Sequence, residues 1–350
     1  MRISGHQVKG LVPAGQLRSS VSRAAAPLSS SFRALPPAFP VAAPLPSRGT
    51  RPAGFAIAAS LRSIFSMGQR QSYKLEVPED KKWWNGSTVA VVTGANKGIG
   101  YEIARNFADQ GLKTVVAARN EELGRAAVDK IKESTGSDNV VYHQLDISNP
   151  ASVNAFAKWA ENDLKRVSVL VNNAGFAHKG DTFGADEAQT VLDVNYFGTK
   201  AVCEALKPLL SPDARVVNVC SSSGQLAILK SPVLRAKFED ARSADEVTTL
   251  ARKFVDDIRA GRHKEEGWPS SMYGVSKLCE ATYTRILAEE LKGSGATVTA
   301  CCPGYVSTDM SSHRGTKTPP EGADTPTWLA LLADKSASGR NFADRREKSF

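Results

Sequence analysis

From about residue 87 the chain alternates short apolar runs with longer stretches whose apolar residues recur every three or four positions. The runs at 88–93, 113–118, 140–145, 167–171, 215–220 and 296–301 are rich in Val and Ala and span a strand's length, which predicts strands buried on both faces. Helical spacing occupies 99–110, 121–133, 152–164, 199–210 and 273–292. Strands alternating with helices in this way predict an α/β fold. It is a doubly wound parallel sheet of about six strands, with helices on both faces, in one domain over 87–346.

One interval breaks the rhythm. Residues 224–270 offer no strand, but Ser243-Ala244-Asp245-Glu246 reads as a capping box. Val247, Leu250, Phe254, Val255 and Ile258 follow at helical spacing, and Gly261 supplies a stop. The interval is therefore a largely helical insertion just before Tyr273.

Charge separates the chain into two parts. Residues 1–70 contain no Asp or Glu and carry nine Lys and Arg, equal to the whole net charge of +9. The rest balances 36 basic against 36 acidic side chains, so no basic surface predicts nucleic-acid binding. The first 70 residues are also rich in Ser, Ala and Pro, a composition that favours disorder and matches an organelle transit peptide. The prolines point to a chloroplast ahead of a mitochondrion, with 71–86 as a linker. Met67-Gly68-Gln69-Arg70-Gln71-Ser72 fits a myristoylation signal for a cytoplasmic form started at Met67. No stretch is long and apolar enough to span a membrane. The five cysteines form no C-x-x-C and the five histidines are scattered, so reduced thiols and no metal are expected.

The first predicted strand runs into Thr93-Gly94-Ala95-Asn96-Lys97-Gly98-Ile99-Gly100 and then a helix. Glycines here permit a tight turn and close backbone approach, and the helix start offers free N–H groups to a pyrophosphate. This is the dinucleotide-binding turn of a Rossmann-type sheet. The second strand ends in Ala118-Arg119-Asn120, without the acid that holds an NAD ribose. Arg119 and Lys97 suit the 2′-phosphate of NADP(H) instead.

Tyr273 and Lys277 stand at i and i+4 on one helix face. Reducing a carbonyl requires a proton donor for its oxygen, and a free phenol holds its proton too firmly near neutrality. An ammonium about 4 Å away, at an effective dielectric of about 20, favours the phenolate by roughly 4 kcal/mol. That predicts a Tyr273 pKa lowered by up to about three units.

With these residues in hand, the sequence resembles the short-chain dehydrogenase/reductases, and within them the monomeric carbonyl reductases and plant neomenthol-dehydrogenase and salutaridine-reductase types. The glycine turn is joined by Asn172-Asn173-Ala174-Gly175, Val194-Asn195-Tyr196-Phe197-Gly198, Val217-Asn218-Val219-Cys220-Ser221, Met272-Tyr273 and Cys302-Pro303-Gly304, in the family's order. The resemblance implies that Tyr273 is the general acid, that Lys277 assists it and holds the nicotinamide ribose, that Ser221 binds the carbonyl oxygen, and that Asn195 anchors a proton-relay water. Alignment on Val217-Asn218-Val219 selects Ser221 over Ser222. Cofactor contacts implied are Gly94, Asn96, Lys97, Gly98, Ile99, Gly100, Arg119, Asp146, Ile147, Asn173, Tyr273, Lys277, Pro303, Val306 and Thr308. The insertion resembles the one that covers the dimer surface in monomeric members, which implies a monomer. His178 and His263 read as surface residues, and Trp83-Trp84 as packing on the first strand.

The function expected is NADPH-dependent reduction of a ketone, aldehyde or quinone. The alternative is a catalytically idle NADP(H)-binding sensor or scaffold on the same fold.

Overall fold

The computed structural model describes residues 75–350. The acid-free segment, with its targeting and myristoylation signals, lies outside the described residues.

Eight strands form one sheet: β1 (Val89–Thr93), β2 (Lys113–Ala118), β3 (Val140–Gln144), β4 (Val167–Asn172), β5 (Leu210–Val219), β6 (Thr297–Cys302), β7 (Asn341–Ala343) and β8 (Arg346–Lys348). Their spatial order is β3-β2-β1-β4-β5-β6-β7-β8, parallel except for the final β7–β8 pair. All six predicted strands are present. β7 and β8 were not expected, because three residues cannot establish a periodicity.

The α-helices in chain order are α1 (Gly98–Asp109), α2 (Glu121–Thr135), α3 (Pro150–Trp159), α4 (Ala185–Leu192), α5 (Thr199–Leu206), α6 (Pro232–Asp240), α7 (Ala244–Arg259), α8 (Met272–Glu290) and α9 (Pro319–Leu331). Two cores result, one on each sheet face. Ile103, Phe107, Ile131 and Leu329 from α1, α2 and α9 fill one. Phe156, Leu206, Phe254 and Tyr283 from α3, α5, α7 and α8 fill the other.

The insertion contributes α6 and α7. Ser243 and Glu246 form a reciprocal capping box, and Gly261, at φ 73°, follows the C-terminal turn of α7. The apolar stripe Val247, Leu250, Phe254 and Val255 is buried in the core shared with α8. Enclosed on both sides, α8 buries residues all round its circumference.

Residues 75–86, expected to be a linker, pack onto the domain instead. Leu75 and Trp84 are buried, and Trp84 Nε1 donates to the Gln110 carbonyl at 3.0 Å. Trp83 lies against the Arg215 guanidinium and donates to the Leu331 carbonyl at 2.8 Å.

The order reverses direction between β1 and β4, so their carboxyl ends diverge into a crevice. The residues singled out for function in the sequence lie at that end of the sheet.

Candidate active site

The glycine turn is shaped by what lies behind it. Gly94 has φ +64°, and a Cβ there would lie 2.8 Å from the Ala174 Cα. A Cβ on Gly100 would meet the Asn173 amide at 2.4 Å and the Gly94 carbonyl at 2.7 Å. Gly100 thus serves contact with the neighbouring turn. Asn173 braces the turn, donating from Nδ2 to the carbonyls of Thr93 at 3.0 Å and Gly94 at 3.3 Å.

No side chain caps the first turn of α1, whereas Asn120 caps α2 and Asn149 caps α3. The amides of that turn are therefore available to an external anion, and the cradle fits a dinucleotide pyrophosphate. Asn96 and Ile99, beside Lys97 and Gly98, are half-buried in it. Arg119 is exposed at the end of β2, with no ion-pair partner among the described residues. Lys97, expected beside it, pairs with Asp309 at 2.5 Å. Both partners are more than half exposed, so this is a weak bond that a phosphate can displace.

The other cofactor candidates line the same crevice less uniformly. Asp146 is half-buried, and its Oδ1 accepts from the Ser148 amide and hydroxyl at 3.0 and 2.7 Å. Ile147 is buried. Pro303 is half-buried, and Val306 packs towards Gly322 and Ile99. The methyl of Thr308 faces Gly98, 3.3 Å from where a Cβ would sit.

Tyr273 and Lys277 project from the start of α8, which Ser271 caps by accepting from the Gly274 amide. The Lys277 Nζ stands 6.0 Å from the Tyr273 ring centre. It also faces the cleft, 3.7 Å from where a Cβ on Gly175 would lie. It donates to the Val219 carbonyl at 2.8 Å and to Glu280 Oε2 at 2.6 Å. An ammonium has three donors, so one remains for a ribose hydroxyl.

The expected lowering of the Tyr273 pKa is overturned by its surroundings. Burial pushes the phenol above its ordinary value; Lys277 pulls it down, Glu280 pushes it back up, and a hydrogen bond with Ser221 lowers it again. The lysine effect is present, but burial and a carboxylate that the sequence did not reveal outweigh it.

Ser221 is the serine beside Tyr273, and its Oγ also accepts from the Ser223 amide at 3.1 Å. Ser222 turns away and takes a 3.6 Å contact from the Cys302 thiol. Asn195 is fully buried in a π-turn, Asp193–Gly198. Its Oδ1 accepts from the Phe176 amide at 2.7 Å, and its Nδ2 donates to the Phe176 carbonyl and to Ser276 Oγ, both at 2.9 Å. The Asn195 side chain thus clamps the loop after β4 to α8.

A cavity of about 380 Å³ opens beside Tyr273, walled by His178, Thr182, Phe183, Val191 and Met272. His178, expected on the surface, is half-buried there, edge-on to Phe176, with its Nε2 buried and unpartnered. His263 backs the wall, against the Phe183 ring at 4.9 Å and Ser270 Oγ at 3.1 Å. Neither histidine nor Glu280 belongs to a recognisable motif. Only the i, i+3 spacing of Lys277 and Glu280 was visible in the sequence.

Among the described residues no cluster of His, Cys, Asp or Glu could hold a metal, and no helix is long and apolar enough to cross a membrane.

The family model for short chain dehydrogenase matches residues 88–234 and 260–319. The gap between these segments carries the end of α6 and all of α7. Carbonyl reductase [NADPH] 1 of Mus musculus is 44% identical over 253 residues, covering 70% of this chain and 91% of that protein. Its Homo sapiens counterpart is 42% identical over 257 residues, covering 71% and 92%. Salutaridine reductase from Papaver somniferum superimposes with a TM-score of 0.68 at 31% identity, over 73% of this chain and 99% of that one. Menthone neomenthol reductase from Mentha piperita gives 0.64 at 30%, over 73% and 98%.

Proposed function

Because the chain belongs to the short-chain dehydrogenase/reductase family, we propose that it reduces the carbonyl of a ketone, aldehyde or quinone to an alcohol, with Tyr273 as proton donor. It is an NADP-dependent oxidoreductase. The observation that carries the proposal is the meeting of Tyr273, Ser221 and Lys277 beside a cavity that Tyr273 lines, with Lys277 facing Gly175, next to the Ala174 on which the glycine turn packs.

When bound, NADPH supplies the hydride. The protein does the rest. The amides at the start of α1 would hold the pyrophosphate, Arg119 the 2′-phosphate, and the spare donor of Lys277 the ribose. Ser221 and Tyr273 converge on the carbonyl oxygen, and Tyr273 gives up its proton as that oxygen gains charge. Asp146 and Ile147 would hold the adenine, and Pro303, Val306 and Thr308 the nicotinamide. Asn195 supports the site through Phe176 and Ser276.

Two further readings belong to the same proposal. Covering of α8 by α7 supports a monomer, since that face is already buried. The acid-free, Arg- and Ser-rich first 70 residues support import into a chloroplast.

The test is NADPH consumption by protein lacking residues 1–70 against a panel of ketones, aldehydes and quinones. Turnover is expected, and Tyr273→Phe should lower kcat by about 10²–10⁴ while NADPH binding is retained. Equal turnover by native and Tyr273→Phe protein would remove Tyr273 as proton donor, and NADPH binding without turnover by the native protein would point to the idle, cofactor-sensing alternative.

A further inference from the structure

Glu280 lies one turn beyond Lys277 on α8, and its side chain has no exposure to solvent. One oxygen takes the Lys277 ammonium at 2.6 Å; the other, Oε1, is buried without a hydrogen-bond partner. An arrangement of this kind is not needed for packing, since well-packed apolar residues commonly replace a buried ion pair without loss of stability. Its location is the informative part, directly behind the proton donor of the site.

We propose that Glu280 is a positioning residue for the Tyr273–Lys277 pair. It clamps the ammonium between its own carboxylate and the Val219 carbonyl and offsets the ammonium's charge. That keeps the proton on Tyr273 and biases the site towards carbonyl reduction over alcohol oxidation. The proposal rests on the carbonyl-reductase reading. In reduction, Tyr273 O–H breaks and the new alcohol O–H forms, while hydride from NADPH, oxidised to NADP⁺, makes the C–H bond; water reprotonates the phenolate. Oxidation needs the phenolate first. A neighbouring carboxylate opposes that form, whereas an uncompensated lysine favours it.

The surroundings leave few other charges to set this balance. Cys220 just after β5, Cys301 and Cys302 from β6, and Cys203 from α5 face the pair, and burial pushes the thiols of Cys203, Cys220 and Cys301 up. The π-turn brings Asn195 and the turn after β5 brings Ser221, both uncharged. The helices α4 and α7 that also pack on α8 bring apolar side chains to its core, among them Val191, Leu250 and Phe254. Burial acts to lower the Lys277 pKa, but Glu280 and Tyr273 hold it above its ordinary value; burial raises that of Glu280, against the pull of Lys277.

The contacts put the Glu280 carboxylate within about 9 Å of the Tyr273 ring. At that separation a unit charge changes proton affinity roughly tenfold. The test is a pH titration of ring-labelled tyrosine by NMR in the cofactor-free protein, with Tyr273 assigned by its loss in Tyr273→Phe. Glu280→Gln should weaken the proton affinity of Tyr273 roughly tenfold. Reductive kcat/KM should then fall off at correspondingly lower pH, and alcohol oxidation should begin at lower pH. Glu280→Leu serves as a second uncharged variant, and Glu280→Asp should restore part of the native profile. A Tyr273 titration unchanged, or moved upward, in the uncharged variants overturns the proposal. A shifted Tyr273 in a native protein that reduces no carbonyl sinks the functional reading instead, because the titration probes the Glu280 contact by itself.

Discussion

Removing the Asp257 carboxylate tests how the insertion is fastened to the catalytic helix. Asp257, on the last full turn of α7, is fully buried and accepts three hydrogen bonds: Lys253 Nζ at 2.7 Å, Trp268 Nε1 at 2.8 Å and Arg262 Nε at 3.0 Å. Trp268 is 1% exposed, in the turn leading to Ser271 and Tyr273. In Asp257→Ala the two cations are open enough to rejoin water, so breaking each ion pair costs about 0.2–1 kcal/mol. The indole N–H cannot rejoin water and stays buried without an acceptor, at about 1–3 kcal/mol. The total is roughly 2–4 kcal/mol, a fall in Tm of roughly 5–10 °C for a domain of this size. Asp257→Asn keeps an acceptor for Trp268 and should be destabilised roughly half as much. Urea unfolding followed by tryptophan fluorescence measures both. The pH dependence adds a second check. Burial alone would raise the Asp257 pKa, but the bonds from Lys253, Trp268 and Arg262 outweigh it and hold the carboxyl below its ordinary range. A carboxyl depressed in the folded state stabilises fully above its unfolded value of about 4 and loses that contribution as pH falls through the folded value. The gap between native and Asp257→Ala protein should therefore narrow in acid. A gap under about 0.5 kcal/mol at pH 7, or one indifferent to acid, would refute this account.

Two other substitutions probe the cofactor crevice. Gly94→Ala forces a side chain into a left-handed backbone and against Ala174, so destabilisation of roughly 2–4 kcal/mol is expected in thermal unfolding. Arg119→Ala should raise the KM for NADPH roughly 10- to 100-fold while leaving that for NADH unchanged, as steady-state kinetics with both cofactors will show. An equal effect on the two would remove Arg119 from the 2′-phosphate site.

Much of this architecture was legible along the chain, for local reasons. Strand and helix periods depend on neighbouring residues, so β1 to β4, β6 and the helices that follow β1 and β2 came out within two residues of their observed ends. β5 is the exception: it begins at Leu210, ahead of the apolar run, because its first residues pair with β4 across an irregular register. The capping box at Ser243 and the spacing of Tyr273 and Lys277 are likewise properties of one helix. Glycine at 94 and 98 announced a turn because positive φ admits few other residues.

What the chain concealed was burial and long-range partnership. Glu280 reads as one more charge on a long helix. Only the packing of α8 against the ends of β5 and β6 makes it a buried carboxylate, able to help reverse the shift expected at Tyr273. Lys97 meets an acid 212 residues away, and Asn173 spends its amide on a turn 79 and 80 residues earlier. Local periodicity decided which segments become strands and helices and which groups share a face. Electrostatics depends on distance and solvent exclusion in three dimensions, so which of those groups are charged, paired or exposed was settled by the packed fold.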